Sequence, residues 1–473
     1  MKNHGTKRNL IALLALMATA LLVHARVVGL SFLSDDLTII HRIGEHHQLG
    51  TGSFFRPLPD WTHWLNYQLA GPRPWAFRAV NVLLLGLNAW LLARVVERLS
   101  GHLPLPSHAA WWAAVLFVVY PFHQEPQVWI VGRSTAMATT TVLLALSAAL
   151  GKGPLGARMA GVAIWTFIGT LCYEYALLIP ALLIMLGLAF GRREHAQWWP
   201  VVIVSMVVVA INLMLRTWTS GELANAYGSG FFQRSLTGYI EAAAKVTGRL
   251  FLPPHPDPQV QLWRSAMVGA VLMTALVLAR RSLSASTWRA VMVLMALTAV
   301  SASIAVVGGV STRTSESDRF LYLPAVFLCA AVAVGLSALE RWRITTLVVM
   351  TMWCLLAQWQ GHTHWMIASR TLERIIAATP TAMPGTRILV SGLPSDHHGA
   401  YILRHGYAEA LLFAGRDTTG LVWVDSVRID PQDVHRSIAF KHGSPTDTIH
   451  FRKGDRAITW NGTAFLEMAQ PVR

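Results

Sequence analysis

WWPVVIVSMVVVAINLML, residues 198–215, carries no charged side chain from end to end. A bilayer core about 30 Å thick takes about 20 apolar residues of helix, and in lipid only helices and closed barrels satisfy their own backbone. The stretch therefore reads as a membrane span, bracketed by Arg192 and Arg193 before it and Arg216 after it. Similar runs occupy approximately 9–29, 75–93, 109–122, 134–150, 159–173, 175–190, 262–279, 290–308, 321–339 and 344–360, which makes eleven expected transmembrane helices.

Composition agrees. Hydrophobic residues make up 53% of the 473 positions and charged residues 13%, where soluble domains carry about 25% charged. A water-soluble fold is thereby excluded. The net charge of +15 would suggest nucleic acid in a soluble protein, but here the basic residues flank apolar runs, so no nucleic-acid partner is expected. Lys2, Lys7, Arg8, Arg94, Arg98, Lys152, Arg158, Arg192, Arg193, Arg280, Arg281, Arg289, Arg341 and Arg343 cluster in alternate connections. The positive-inside rule makes those connections cytoplasmic.

The N-terminus is then cytoplasmic. Segments 30–74, 123–133, 216–261, 309–320 and everything after 361 lie outside, in the periplasm if the membrane is a bacterial inner membrane. The first 25 residues also have signal-peptide features, with Val23-His24-Ala25 as a cleavage site, although the many later spans make an uncleaved anchor the more natural reading. Cys172, Cys329 and Cys354 all fall in expected spans, so no disulfide framework or Cys-based zinc site is available. The expected organisation is a transmembrane domain over 1–360 and a small extracytoplasmic domain, α/β or mostly β, over 361–473. In the latter, Arg387–Val390, Ser437–Phe440 and Thr448–Phe451 alternate like strands, and 400–414 reads as helical.

Chemistry-bearing residues collect in the outer segments. Asp35 and Asp36 follow the first span, where a carboxylate can accept a proton from a hydroxyl at lipid-headgroup level; paired acids also cap helices. Phe54-Phe55-Arg56-Pro57-Leu58 supplies a guanidinium suited to a phosphate ester. The connection from Pro121 to Arg133 sets His123, Glu125 and Arg133 close together around Pro121 and Pro126. Non-helical backbone near membrane depth survives only where protein or water covers it. Glu174 lies between two apolar runs, where a carboxylate needs a partner, water or a hairpin turn. Ser317-Asp318-Arg319-Phe320-Leu321-Tyr322 leads into a later span, with Arg319 and Tyr322 placed to hold an anionic headgroup.

In this order, the Asp-Asp loop, Phe-Arg-Pro-Leu, Pro-x-His-x-Glu…Gly-Arg, the Glu174 hairpin and Arg-Phe-x-Tyr-x-Pro resemble the GT-C superfamily of membrane glycosyltransferases. The likeness is to the branch of protein O-mannosyltransferases and transmembrane proteins with tetratricopeptide repeats, over roughly 25–370, without the repeats. It implies inverting transfer of a sugar from a polyprenyl-phosphate-linked donor to an extracytoplasmic hydroxyl at a periplasmic active site. Asp35, with Asp36 second, would be the catalytic base. Arg56, Arg133, Arg319 and Tyr322 would bind the donor phosphate, with His123, Glu125 and Glu174 around the cavity.

No cofactor is implied, and no metal site is assigned from His41, His46 and His47. The acceptor, whether protein, lipid or glycan, is left open. The competing readings are a membrane transporter or lipid flippase, which would place ionisable groups near the bilayer midplane, and an inactive GT-C relative in envelope assembly. Two local matches are set aside. Gly151, Gly153 and Gly156 follow a membrane helix rather than a strand, and Asp396-His397-His398 reads as a polar turn before it reads as a metal site.

Overall fold

Long uncharged runs leave the chain no local alternative to helix, and each of the eleven apolar runs is helical over most of its length. In this computed structural model, residues 2–50, 55–190, 192–220, 235–429, 437–444, 446–452 and 454–468 are described, of 2–6, 192–196 and 220 the backbone alone. Phe54 and the 221–234 part of the expected outer segment 216–261 lie outside them.

The helices are α1 (Lys2–Val23), α2 (Ala25–Val28), α3 (Asp35–Gly44), α4 (Pro57–Ala70), α5 (Pro74–Leu99), α6 (Ala109–Val119), α7 (Glu125–Val128), α8 (Arg133–Ala149), α9 (Leu155–Thr170), α10 (Ile179–Ala189), α11 (Arg192–Ser220), α12 (Leu236–Arg249), α13 (Pro258–Ser282), α14 (Ala285–Gly308), α15 (Tyr322–Gly335), α16 (Arg343–Ala378) and α17 (Tyr407–Phe413). Among the described residues six helical stretches are long and apolar enough to cross a membrane: Pro74–Leu99, Ile130–Ala149, Gln197–Thr219, Pro258–Ser282, Ala285–Gly308 and Asp318–Ala378. The protein is therefore an integral membrane protein.

Six among the described residues is fewer than the eleven expected in part for two physical reasons. Runs such as α6 stop early: its 11 residues end at Tyr120-Pro121, and at about 1.5 Å per residue cover about half of a bilayer core. Conversely, Asp318–Ala378 counts once although Glu340 (φ 39°) breaks its helical path between α15 and α16.

The chain divides into two compact units, Met1–Gly29 with His47–Thr363, and Leu30–His46 with His364–Arg473. The segment carrying Asp35 and Asp36 groups with the C-terminal residues. In the first unit, α15 is the inner helix, with Tyr322, Leu323, Ala325, Val326 and Ala330 fully enclosed. The helix α13 is its opposite, exposing Leu262, Trp263, Met267, Val271 and Val277. A helix apolar all round is either core or lipid-facing, and these two are one of each.

In the second unit β1 (Ile388–Ser391), β2 (Asp396–His397), β3 (Ala400–Tyr401), β4 (Leu421–Arg428), β5 (Ile438–Lys441), β6 (Thr448–His450), β7 (Arg456–Trp460) and β8 (Phe465–Glu467) form two sheets. The larger has the order β6-β5-β4-β1-β7-β8, and β2-β3 is a separate hairpin. β1 runs parallel to β4 and β7, pairing Leu389 with Val422 on one side and Ala457 on the other. The outer pairings are antiparallel. A strand buried on both faces reads as continuously apolar, and Ile388-Leu389-Val390 is such a run.

The start of α3 packs on Gly406. A Cβ there would lie 2.6 Å from Leu37 Cβ and 3.1 Å from the Ser34 carbonyl, on a backbone with φ +87°. Gly415 has φ +69° and open space, so it isolates the conformational cost. Gly406→Ala should lower the thermal unfolding midpoint of the purified protein more than Gly415→Ala, by about 1–3 kcal/mol of overpacking; equal shifts would mean that the contact carries no weight.

Candidate active site

Between α6 and α8 the first unit departs from regular helix: Pro121–His123 and Ile130–Gly132 are 3-10 turns on either side of the single turn α7. Pro121 and Pro126 remove donors, so carbonyls of this segment lack helical partners. Side chains from α5 supply them. Asn81 Nδ2 donates to the carbonyls of Pro126 (3.0 Å) and Ile130 (3.1 Å), and Arg78 Nε to that of Val128 (2.7 Å).

Arg133 completes the frame. Its Nε donates to Asn81 Oδ1 (2.7 Å), Nη1 to Asn66 Oδ1 (2.7 Å) and Nη2 to the Phe77 carbonyl (2.9 Å). Arg78, Asn81 and Arg133 are all fully buried. Gly132 lets the turns close, since a Cβ on it would sit 2.8 Å from Pro126 Cα.

The segment so held presents Glu125 to Arg319. The guanidinium of Arg319 pairs with Glu125 Oε1, and its backbone N–H donates to Oε2 at 3.0 Å. The same guanidinium lies 4.8 Å from the ring centre of Phe320 and 5.3 Å from that of Trp129, within cation–π range.

A second cluster forms on the hairpin between α9 and α10. Glu174 accepts from Arg56 Nη2 at 2.8 Å and from Arg216 Nη1 at 3.2 Å. Arg216 also donates to the Thr170 carbonyl (2.7 Å), and the Arg56 guanidinium lies 4.3 Å above the Tyr173 ring. Tyr175, next to Glu174, donates its hydroxyl to the Arg319 carbonyl at 2.8 Å and so ties the two clusters together. A third pair, Arg249 with Asp318, is shut inside.

Within these described pairs Arg56 and Arg216 share the one carboxylate of Glu174, while Arg249 and Arg319 each meet their own acid. Arg56 and Arg319, with side chains 17% and 20% exposed, are accessible from outside.

In the second unit the adjacent acids are sorted by the start of α3. Asp36 is buried and accepts from the Leu33 N–H (3.3 Å), whereas the Asp35 side chain is 32% exposed. Asp35 accepts from Ser34 Oγ at 3.4 Å and has His405 Nε2 at 4.0 Å. Ser34 holds φ 50°, and its N–H donates to the Ile402 carbonyl, which fixes where the helix begins.

Two expected phosphate ligands have protein partners in the bundle. The three nitrogens of Arg133 already donate to protein oxygens, and Tyr322 is enclosed with its hydroxyl accepting from Asn88 Nδ2 at 3.1 Å. Each braces the bundle. His123, expected at the cavity, is likewise buried, Nε2 against the Phe117 carbonyl at 3.0 Å and the ring among Phe117, Tyr120 and Tyr322. Glu125, Glu174, Arg56 and Arg319 are brought together, and Arg216 joins them. The sequence sets Arg216 among the outer arginines at the ends of apolar runs, where an anionic ligand is the economical reason for them; the acid it meets was not readable.

No family model matches the chain. Protein O-mannosyl-transferase TMTC2 of Mus musculus is 32% identical to it over 97 residues, and the protein of that name from Homo sapiens 31% identical over 97. The chain resembles a protein O-mannosyl-transferase. Each match covers 20% of this chain and 11% of the relative, so about a tenth of the relatives' length is spanned. Against solved structures, arabinofuranosyltransferase AftD from Mycobacteria overlays with a TM-score of 0.49 at 16% identity, over 89% of this chain and 32% of that one. ArnT from Cupriavidus metallidurans overlays with a TM-score of 0.41 at 15% identity, over 85% of this chain and 86% of that one.

Asn81→Leu removes the donor to two carbonyls and the acceptor of Arg133. Each buried group left unsatisfied costs about 1–3 kcal/mol, so this variant should unfold well below the wild type in a detergent thermal melt. An unchanged midpoint would show that water replaces the amide. Glu174→Gln leaves Arg56 and Arg216 facing each other without their carboxylate. It should be destabilised, and adding Arg216→Met should restore part of the loss; additive effects of the two changes would mean that the groups are not coupled.

Proposed function

We propose that this protein is an inverting glycosyltransferase that moves a sugar from a polyprenyl-phosphate-linked donor to a hydroxyl of an extracytoplasmic acceptor. The observation that carries the reading is the pair of partly exposed guanidinium groups, Arg56 and Arg319, each on a carboxylate and tied together through Tyr175. The TMTC2 match supports the same chemistry and makes mannose the first sugar to try. Orientation follows the basic residues: cytoplasmic N-terminus, outer segments and C-terminal unit on the periplasmic side of a bacterial inner membrane.

In the proposed step the acceptor oxygen forms a bond to the anomeric carbon as that carbon's bond to the phosphate oxygen breaks, and the bonding pair leaves with the polyprenyl phosphate. Asp35 takes the hydroxyl proton. Arg56 and Arg319 stabilise the negative charge that grows on the departing phosphate. Asp35 is preferred to Asp36 because its carboxylate is solvent-accessible and Asp36 is occupied inside the turn.

The test is transfer of labelled mannose from a synthetic polyprenyl-phosphate donor by the purified full chain in lipid nanodiscs. Asp35→Asn should lower turnover by about 10²–10⁴-fold with an unchanged unfolding midpoint. Full activity in both Asp35→Asn and Asp36→Asn would overturn the assignment of the base. A wild-type protein that transfers nothing, yet moves the donor across proteoliposomes, would overturn the enzyme reading.

A further inference from the structure

Three imidazoles converge in the second unit at a place the sugar-transfer reading does not use. His364 comes from α16, His397 from the end of β2 and His398 from the turn that follows. One ligand-competent nitrogen from each lies within 4.8 Å of the others. The ring centres are 4.7 Å apart for His397 and His398, 4.8 Å for His364 and His398, and 5.4 Å for His364 and His397.

The hairpin holding two of them is built rather than loose. Asp396 Oδ1 accepts from the Gly399 N–H at 2.9 Å and its Oδ2 from Ser395 Oγ at 3.0 Å, while β2 and β3 pair Asp396 with Tyr401 and His397 with Ala400. Beside the cluster, Trp365 meets Tyr401 edge to face at 5.7 Å, both rings buried, which fastens the helix to the hairpin. Within the cluster, His364 Nδ1 is buried with no hydrogen-bond partner among the described residues. A buried ring nitrogen without a partner is costly unless something binds it.

We propose that His364, His397 and His398 bind one divalent cation of the zinc class, clamping the β2–β3 hairpin to α16. The donor set decides the class. Imidazole nitrogens suit zinc and its transition-metal neighbours, whereas magnesium and calcium take oxygen ligands. Three histidines leave one tetrahedral position for water or another ligand. Zinc–nitrogen bonds of about 2.0–2.1 Å draw the ligand atoms closer than 4.8 Å, a movement within reach of side-chain rotation on a fixed hairpin. The Asp396 carboxylate is engaged by its own turn, so it serves as hairpin lock rather than as fourth ligand. The proposal is independent of the sugar-transfer chemistry.

The test uses the full chain carrying no histidine tag, stripped with chelator and titrated with zinc. Calorimetry and elemental analysis should give one equivalent per chain, with cobalt producing the visible spectrum of a four-coordinate site with three nitrogen ligands and magnesium producing no uptake. His364→Ala and His397→Ala should each weaken zinc binding at least tenfold. A wild-type chain that takes up no zinc overturns the proposal whatever the variants do. Uptake that is unchanged in both variants overturns it equally, since the cation then sits elsewhere.

Discussion

The first unit depends on one constraint: a stretch of backbone from Tyr120 to Gly132 broken into three short helical turns, inside a bundle whose helices are apolar. Polar main-chain groups in such surroundings must be bonded within the protein. Asn81 and Arg78 provide the donors from one helix, and Arg133 ties that helix to α4 through Asn66. The cost of burying two guanidinium groups is offset because their nitrogens meet carbonyl and amide oxygens at hydrogen-bond distance. Release from helical geometry is what lets Glu125 reach Arg319, a contact across 194 positions of sequence.

From that frame the charge pattern follows. Three acids, Glu125, Glu174 and Asp318, are each met by arginine, and the pairs differ in accessibility. Arg249 with Asp318 is enclosed and acts as bracing. Arg56 and Arg319 keep a partly open face and a neighbouring aromatic ring. A guanidinium held between a carboxylate and an aromatic face is fixed in one orientation.

Much of the architecture was legible because membrane burial imposes a strong rule on sequence. Uncharged runs such as 198–215 became helices, and Arg387–Val390 and Thr448–Phe451 became β1 and β6 within a residue. The span count was less legible, since the prolines at 121, 126 and 180 and the break at Glu340 decide where a helix is long enough, and composition alone does not register them. The site was legible by residue type and not by partner. Arg133 and Arg319 look alike in sequence, each beside an apolar run, yet one donates to Asn81, Asn66 and the Phe77 carbonyl and the other sits on an acid. Asp35 and Asp36 are adjacent, and only the turn at Ser34 separates the outward carboxylate from the inward one. His364 is far from His397 along the chain, so the third imidazole of that cluster had no local signal.

The account turns on whether Arg56 and Arg319 receive a lipid phosphate. The most direct measurement is cross-linking of a photoreactive polyprenyl phosphate to the purified protein in nanodiscs, with adducts mapped by mass spectrometry and competed by unlabelled polyprenyl phosphate. Competable adducts on the peptides around Arg56, Glu174 and Arg319 are expected, and they should disappear in the Arg56→Gln, Arg319→Gln double variant. Adducts confined to the lipid-facing surface of α13, or insensitive to competitor and to both substitutions, would contradict it.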